Sequence, residues 1–398
     1  MSETLPLSYR VPAVDPATLA KFVAERFGLV GELSALPGER DRNFRLDLPD
    51  GSCYVVKVAH GDERPEVIEL QHLCLGRMAE RAPDVVMARV VTARSGATIE
   101  RLAIDGHEHL VRVLTWVDGV PLATVRPKSR AALWSLGELI GRLHQAFDGF
   151  DHPAAHRDLK WDLARASWVT THWDRIESPS RRAQAERMFS GFTEQVLPRW
   201  VGLPKSVIYG DANDYNVLVA ELAEEPRRTV SVIDFGDMVH SATVADLAIA
   251  IAYAALDLDD PLTAAATVVE GYTSVRGLSE LELDCLYPLI VARLVVSAVN
   301  SALQRTAAPG NEYLFVSEAP VWRLLDALAG IHPRFATYRL RAAAGNPPCP
   351  LTGRVTRWID AHTEDFIPLI GIAEGILPPR VDLSIEKLAP DRDRKSVV

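Results

Sequence analysis

The sequence predicts an α+β fold with two lobes: a small N-terminal lobe with a mixed β-sheet and one helix, and a larger, mainly helical C-terminal lobe. Length is the first reason, because 398 residues, 48 % of them hydrophobic, are too many for one simple core and enough for two. The order of elements is the second, because strand-like runs come first and helical periodicity follows. We expect an N-terminal lobe over 1–117, a C-terminal lobe over 118–350, and a C-terminal helix with a partly disordered tail over 351–398.

The N-terminal lobe is predicted from strand and turn signals around one strong helix. After a short amphipathic helix over 16–28, the strand-like runs are GELSALP, RNFRLDL and CYVVKVA. Asp50-Gly51, between the last two, is a hairpin signal. Helical periodicity then covers 64–82, and the last strand candidates are ATIERLAI and HLVRVLTWV.

Most of the chain after the turn-rich connector VDGVPLATVRP has the pattern of helices. The first of them carries an apolar stripe: Leu133, Leu136, Ile140, Leu143 and Phe147. Ser279 and Glu282 have capping-box spacing at the start of another. One strand pair, NVLVAEL and TVSVIDF, interrupts the helices. Two very apolar segments, 246–258 and 287–303, are predicted to be buried helices, since the first is short and the second contains an arginine.

Composition indicates which classes of partner and which cellular compartment to expect. A net charge of −10, from 43 basic and 53 acidic side chains, argues against nucleic acid or an anionic membrane as the main partner. The four cysteines form no CxxC pair, which disfavours a zinc site or a disulfide framework and indicates a reducing cytoplasm. The first 20 residues lack the basic and apolar regions of a signal peptide.

The stretch HRDLKWD, residues 156–162, has the letters of a kinase catalytic loop but not its spacing. Phosphoryl transfer needs a carboxylate at the attacking hydroxyl, and an amide oxygen and a second carboxylate that hold magnesium. In kinase-like folds the Asp and Asn lie five residues apart, and the second carboxylate begins a later D-F-G. Five residues after Asp158 comes Leu163, which cannot bind a metal. This stretch is therefore not predicted to be the catalytic loop.

The stretch VIYGDANDYNVLV, residues 207–219, satisfies the spacing. Asn216 follows Asp211 by five residues, and Asp234 begins D-F-G after a strand, a turn and a second strand. A single Asp-x4-Asn pair is most often part of a surface loop, but three positions in the right order are a specific signal. The sequence therefore predicts Asp211 as the catalytic base and Asn216 and Asp234 as ligands of Mg²⁺.

The nucleotide is expected to bind to the N-terminal lobe. Lys57, in an apolar strand, is predicted to hold the α- and β-phosphates, oriented by Glu69 in preference to Glu66 on the following helix. The loop SALPGERDRNF has one glycine, so backbone amides of a glycine-poor turn would contact the phosphates. The base ring of the nucleotide is expected to lie against the connector near Thr115 and Val117.

With these residues placed, the chain resembles the aminoglycoside phosphotransferase and choline kinase group of small-molecule kinases. The resemblance covers roughly residues 20–345 and is carried by YGDANDYNVLV, IDFGD, the strand lysine and LGELIGRLHQAF. It implies a bilobal protein-kinase-like fold, with Mg²⁺ and ATP or GTP, and phosphorylation of hydroxyls on small, often cationic molecules.

The sequence is most similar to hydroxylysine kinases and to kinase domains fused to class III aminotransferase-like phospholyases, through GDANDYNVLV, IDFGDM, LPGERDRNF and FDHPAAHRDLKWDLA. This likeness implies transfer to the hydroxyl of an amino alcohol or a hydroxylated amino acid. Because no aminotransferase-like segment follows in this sequence, we expect either a free-standing kinase or a separated piece of a fusion. The likeness also makes a phospholyase a candidate partner enzyme. Tyr209 stands where the group's motif has histidine.

Two other functions fit the same motifs. The first is an aminoglycoside or choline/ethanolamine-type kinase, with a different acceptor. The second, suggested by Tyr209, is a nucleotide-binding pseudokinase that regulates a phospholyase.

The HRDLKWD stretch has two interpretations that the sequence leaves open. In the first, Asp158, Trp161 and Asp162 provide carboxylates and an aromatic face for a substrate ammonium group. In the second, the stretch is a helix N-terminus, with Asp158 and Asp162 as cap and first-turn residues and Trp161 in the core. Asp237, beside the metal carboxylate, is another candidate for the substrate amine.

Overall fold

The structure is a computed structural model that describes residues 11–38, 40–104, 106–220, 228–307 and 318–362. Within these ranges the chain forms a β-rich N-terminal lobe and a helical C-terminal lobe. The predicted tail, 363–398, lies outside the described residues, and the predicted domain boundaries remain predictions.

The N-terminal lobe is a five-stranded sheet with strand order β1-β2-β3-β5-β4. Every neighbouring pair is antiparallel, so the expected mixed sheet is corrected to an antiparallel one. The Asp50-Gly51 hairpin is confirmed, and Gly51 takes the positive φ of 87° that the turn requires. The elements of this lobe are α1 (Pro16–Phe27), β1 (Glu32–Leu36), β2 (Arg42–Asp47), β3 (Cys53–Val58), α2 (Pro65–Arg81), β4 (Glu100–Ile104) and β5 (His107–Thr115).

The two helices of the N-terminal lobe pack in different directions. Leu19, Val23 and Phe27 of α1 pack on the sheet with residues of β2, β3 and β5. The buried face of α2, which includes Leu70 and Met78, belongs instead to the large core of the C-terminal lobe. Ile68 of α2 packs separately with Ala59 and with Leu110 of β5, so this helix contacts both the sheet and the C-terminal core.

The C-terminal lobe is built from eight helices among the described residues. They are α3 (Arg130–Ala146), α4 (Pro179–Gly191), α5 (Thr243–Ala254), α6 (Pro261–Thr273), α7 (Glu280–Ala307), α8 (Glu318–Ala329), α9 (Pro333–Ala343) and α10 (Thr352–Ala361). The five predicted stripe residues of α3 and its last turn are all buried. The predicted capping box is confirmed, because Ser279 N donates to Glu282 Oε2 at 2.9 Å and Glu282 N donates to Ser279 Oγ at 3.3 Å.

Helices α3 and α6 approach so closely that their contact requires glycine. A Cβ atom on Gly137 would lie 1.9 Å from the carbonyl oxygen of Val268, and one on Gly271 would lie 1.8 Å from that of Trp134. Such distances are far inside van der Waals contact, so no larger residue fits without separating the helices.

Helix α7 is long and apolar enough to cross a bilayer by composition, with a mean hydropathy of 1.6, but 83 % of its most apolar window is buried inside the protein. It packs against α4, α5, α8 and α9 as the central helix of the lobe. The buried-helix prediction for 287–303 is thereby confirmed.

Five short strands carry the loops on which the predicted site depends. They are β6 (Val120–Pro121), β7 (Lys205–Ile208), β8 (Val217–Val219), β9 (Thr229–Val232) and β10 (Val239–Ala242). Strands β6, β8 and β9 form one sheet, and β7 pairs with β10. Asn216 therefore directly precedes β8, and Asp234 follows β9 by two residues. The expected α+β class with two lobes is confirmed.

Candidate active site

The hairpin of β8 and β9 brings the three predicted catalytic positions together. Asn216 Nδ2 donates to Asp211 Oδ2 at 2.7 Å and to the Asp211 carbonyl at 3.2 Å. The Asn216 carbonyl in turn accepts from the amide of Ile233 at 2.9 Å, one residue before Asp234. The loop after β7 and the loop after β9 are thus joined through Asn216.

Asn213 gives the loop its shape. Its Oδ1 accepts from the amides of Tyr215 at 2.9 Å and Asn216 at 3.0 Å, an Asx turn that closes the loop. Its Nδ2 donates to Asp211 Oδ1 at 3.0 Å. Both oxygens of Asp211 are therefore held by amide groups of its own loop.

A buried carboxylate on α5, Asp246, accepts hydrogen bonds from the start of the Asp211 loop. Asp246 is fully buried and accepts from the amides of Tyr209 at 3.0 Å and Gly210 at 2.9 Å. His144 Nε2 lies 3.0 Å from the same carboxylate. Gly210 has φ 81°, and a Cβ there would lie 2.6 Å from the Asp237 carbonyl, so only glycine fits this approach.

Tyr209 connects the two catalytic loops. Its side chain is fully buried, its hydroxyl donates to the Ile233 carbonyl, and its ring meets Phe235 edge-on with centroids 5.0 Å apart. Burial raises its pKa well above the ordinary value, so the hydroxyl keeps its proton for this bond. Tyr209 thereby supports the residues on both sides of Asp234 from the position where the related motif has histidine.

Asp234 lies opposite Lys57 of the N-terminal lobe. Lys57 Nζ is 3.2 Å from Asp234 Oδ1, which also accepts from the Gly236 amide at 3.3 Å. Asp234 has φ 60°, a left-handed conformation that is uncommon outside glycine and is concentrated at functional positions. Lys57, and to a smaller extent Arg40 and Arg112, hold the Asp234 pKa well below its usual range, so this carboxylate is ionised.

Asp211 lies among charges of both signs. Burial, followed by the neighbouring Asp237 carboxylate, raises the pKa of Asp211 above its ordinary value, and the Arg293 cation opposes that rise. Arg293 Nη2 lies 3.6 Å from Asp211 Oδ1. The Arg293 side chain is 2 % exposed and is placed over the rings of Trp161 at 4.8 Å and Tyr253 at 5.4 Å. Among the described residues, Arg293 is the buried cation that pairs with Asp211, the predicted base.

A second contact between the lobes is formed by Arg40 and Asp237. Arg40 Nη2 lies 2.7 Å from Asp237 Oδ1, and a Cβ on Gly236 would lie 3.0 Å from the same Nη2. Arg40 stands in the glycine-poor loop between β1 and β2. The carboxylate predicted for a substrate amine is therefore paired with an arginine of the predicted phosphate loop.

The predicted pairing of Lys57 with Glu69 is wrong. Glu69 is exposed on α2, as is Glu66, and neither forms an ion pair with Lys57 among the described residues. The inward position on that helix is Gln71, which accepts from Arg112 Nη2 at 3.3 Å. The helical phase, with buried positions on either side of Glu69, turns its side chain to solvent.

The two positions predicted to bind the nucleotide base differ in which backbone groups remain available for hydrogen bonds. The Thr115 amide donates to the Arg89 carbonyl at 2.9 Å, and the Thr115 hydroxyl accepts from the Arg89 amide at 2.8 Å. Val117 is buried, and its backbone forms no hydrogen bond among the described residues. Of the two, Val117 is the position with backbone groups for a nucleotide base.

The capping interpretation of HRDLKWD is correct for Asp162. This residue is 8 % exposed, accepts from Ser241 Oγ at 2.6 Å and caps the 3₁₀ segment that begins at Leu163 by accepting from Ala164 N at 3.0 Å. Asp158 is 79 % exposed and lies 3.1 Å from Arg165. The structure thus uses the Asp162 carboxylate as a cap and leaves Asp158 exposed at a surface ion pair.

Trp161 and Asp237 are brought to the site. A narrow crevice beside Gly210 is lined by both side chains. Trp161 also contacts Arg293 through its ring, and its carbonyl accepts from Arg293 Nη1 at 3.2 Å. Asp162, whose carboxylate caps the 3₁₀ segment, lines the same crevice, so three of the four predicted substrate residues lie beside Gly210.

Sequence reasoning missed three charged residues of the site: Arg40, Asp246 and Arg293. The signal for Asp246 and Arg293 was a charge inside an otherwise apolar helix, which is costly unless it is paired. Arg40 carried no comparable signal, because its partner is 197 residues away.

The donor set fits Mg²⁺. Asn216 Nδ2 is engaged by Asp211, which leaves the amide oxygen, and Asp234 Oδ2 has no hydrogen-bond donor among the described residues. Amide and carboxylate oxygens without any sulfur or imidazole are the ligands that Mg²⁺ prefers.

Comparison with known proteins shows the family of this chain. The model of the phosphotransferase enzyme family, APH, matches residues 32–283. The hydroxylysine kinase of Mus musculus is 28 % identical over 340 residues, 80 % of this chain and 90 % of that protein, and the hydroxylysine kinase of Xenopus laevis is 25 % identical over 350 residues, 81 % of this chain and 91 % of that protein. A microcompartment-associated aminopropanol kinase has a similar structure, with a TM-score of 0.59 and 18 % identity, over 82 % of this chain and 98 % of that one.

The fold and the family match define a phosphotransferase that acts on small molecules. The chain belongs to the phosphotransferase enzyme family, APH, and is similar to hydroxylysine kinases along most of its length. The predicted resemblance to this group is confirmed.

Proposed function

We propose that this protein is a Mg²⁺-dependent kinase that transfers the γ-phosphate of ATP or GTP to the hydroxyl of an amino alcohol or a hydroxylated amino acid, such as hydroxylysine. The observation that carries the proposal is the convergence of Asp211, Asn216 and Asp234 opposite Lys57. Asn216 bonds to Asp211 and to the amide of Ile233, the neighbour of Asp234, and Asp234 pairs with Lys57 of the other lobe.

Asp211 is the base of the proposed reaction. It orients the acceptor hydroxyl and takes its proton, and such assistance is typically worth about 10²–10⁴-fold in rate. Asn213 and Asn216 hold its two oxygens, so the carboxylate is oriented before the substrate binds.

The phosphates are held from both lobes. Asn216 and Asp234 would hold Mg²⁺, which would offset the charge that develops on the phosphates during transfer. Lys57 contacts the α- and β-phosphates.

Arg40 supplies the cation that a glycine-poor loop otherwise lacks. Because Arg40 reaches Asp237 beside the Asp234 loop, its guanidinium is within reach of a phosphate at this site. Arg40→Ala should therefore weaken nucleotide affinity at least several-fold, as measured by calorimetry, whereas Arg101→Ala at an exposed position on β4 should not.

The acceptor class rests on charge and on the relatives. The Trp161 ring lies against Arg293 next to Asp211, and the Asp237 carboxylate pairs with Arg40. An aromatic face and a carboxylate near the proposed base suit a substrate ammonium group. Similar proteins are named for hydroxylysine and for aminopropanol, both of which carry an amine and a hydroxyl.

A panel of acceptors tests the proposal. Hydroxylysine, small amino alcohols, choline, ethanolamine and aminoglycosides would each be incubated with ATP or GTP, and nucleotide consumption and the phosphorylated product would be measured. Hydroxylysine or an amino alcohol should have the highest kcat/KM. Preference for an aminoglycoside or choline would contradict the acceptor, and tight nucleotide binding without any transfer would instead indicate a pseudokinase.

A further inference from the structure

Two imidazoles and a carboxylate meet on the surface beside the Asp234 loop. His156 follows the 3₁₀ turn Pro153–Ala155, and His240 lies on β10. The rings of the two histidines are stacked, with centroids 4.5 Å apart and planes inclined by 28°. Asp151 Oδ1 lies 2.7 Å from His156 Nε2. Three segments that are separate in sequence thus place metal-binding groups together.

Hydrogen bonds within the cluster engage only one of its two histidines, His156. Asp151 satisfies one nitrogen of His156, and stacked rings cannot hydrogen-bond each other face to face. His240 is half-buried, and its ring nitrogens form no hydrogen bond with any residue that the structure describes. An imidazole nitrogen without a protein partner is a strong ligand for a metal ion.

The spacing of the ligand atoms is close to what one ion requires. One ligand atom from each residue can be chosen so that all three lie within 4.8 Å of one another. Two nitrogens on opposite sides of Zn²⁺ are at most about 4.2 Å apart, because each bond is about 2.1 Å. His156 and Asp151 are 49 % and 63 % exposed, so rotation of their side chains can close the remaining distance.

We propose that Asp151, His156 and His240 bind one divalent transition-metal ion of the Zn²⁺ and Co²⁺ type. Imidazole with carboxylate selects this class over Mg²⁺, which prefers oxygen ligands alone. Three protein ligands leave the remaining positions of the ion to water. The site is distinct from the Mg²⁺ site at Asn216 and Asp234 and does not depend on the proposed kinase reaction.

The ion would reinforce a connection that the protein already makes. Arg157, next to His156, donates to the carbonyls of Gly236 at 2.5 Å and Met238 at 2.8 Å. His240 follows Met238 by two residues. An ion shared by His156 and His240 would therefore tie together the same two segments and stabilise the residues that flank Asp237.

Titration with Co²⁺ tests the site directly. The full chain without an affinity tag, stripped of metal and kept in excess Mg²⁺ to fill oxygen-only sites, would be titrated while the visible d–d absorption of Co²⁺ is recorded. We expect saturation at one equivalent and a rise in Tm. His156→Ala and His240→Ala should each weaken Co²⁺ binding at least tenfold, and His107→Ala, at an exposed position on β5, should not change it.

The variants also separate binding from folding. Asp151→Asn exchanges an exposed group, so its metal-free Tm should match the wild type while its Co²⁺ affinity falls at least tenfold. A missing visible band in the wild type would overturn the proposal. So would wild-type affinity in Asp151→Asn or in either folded histidine variant.

Discussion

The loops 156–162 and 209–216 hold the same segment, residues 233–238, from its two ends. From the second loop, Tyr209 donates to the Ile233 carbonyl and packs on Phe235. From the first, Arg157 donates to the carbonyls of Gly236 and Met238. The loops differ in what becomes of their carboxylates: Asp162 is used as a cap, Asp158 pairs with a surface arginine, and Asp211 is held toward the metal residues.

This difference shows that the residue types of a loop do not define its role. HRDLKWD contains the residue types of a catalytic loop, but no amide side chain follows Asp158 at the distance that a metal site requires. Its role is instead structural, because Arg157 donates hydrogen bonds to the carbonyls of Gly236 and Met238. The other loop begins with tyrosine instead of histidine and still has the required geometry. Spacing relative to the β8–β9 hairpin separates the two.

The largest effect is expected from Asp211→Asn. Transfer to any acceptor should fall by about 10²–10⁴-fold, because the base is lost while the shape is kept. Nucleotide affinity, measured by calorimetry, should stay within a few-fold, since Lys57 and the metal residues are unchanged. Lost nucleotide binding would contradict the role of Asp211 as base.

Arg157→Ala tests whether Arg157 holds residues 236–238 in place. The change removes a charged donor from two carbonyls, so the free energy of unfolding should fall by about 2–3 kcal/mol. The shift of the urea midpoint measures it, with Arg165→Ala, at a 60 % exposed position in the same region, as the control. Equal stability of the two variants would show that Arg157 does not hold the segment.

Tyr209→Phe tests the support from the other end. The Ile233 carbonyl loses its donor, so stability should fall by about 1–2 kcal/mol, and kcat should decrease because Asp234 is less well held. Tyr209→His, which introduces the residue common in the group, is the matched variant. A Phe variant with unchanged kcat and stability would make the tyrosine hydroxyl irrelevant to the loop.

Asp158→Asn should have the smallest effect. An exposed pair contributes about 0–1 kcal/mol, and the side chain does not reach the crevice. The variant should therefore have wild-type kcat and KM in the acceptor assay, within error. A KM several-fold higher for a cationic acceptor would restore the substrate-binding interpretation of HRDLKWD.

The sequence predicts those parts of the site that lie on one hairpin. Asp211, Asn216 and Asp234 were predictable because a strand, a turn and a strand of known length fix their relative positions. Residues whose partners are distant in sequence were not. Arg40 meets Asp237 only when the two lobes pack together, and Arg293 meets Asp211 only when α7 packs inside the C-terminal lobe. No local pattern encodes either contact.

Two errors came from treating a helix or a loop in isolation. Glu69 has the expected distance from Lys57 in sequence, but the apolar face of α2 turns it outward and Gln71 inward. Asp162 precedes a 3₁₀ segment that needs a cap, and this local demand takes the carboxylate that a substrate would have required.

The most direct test of the central claim is a crystal structure of the protein with Mg²⁺ and a non-hydrolysable nucleotide. We expect Mg²⁺ at about 2.1 Å from Asn216 Oδ1 and an Asp234 oxygen, with Lys57 on the phosphates and Asp211 facing the γ-phosphate. A nucleotide bound at 156–162, or a metal that Asn216 and Asp234 do not share, would contradict it.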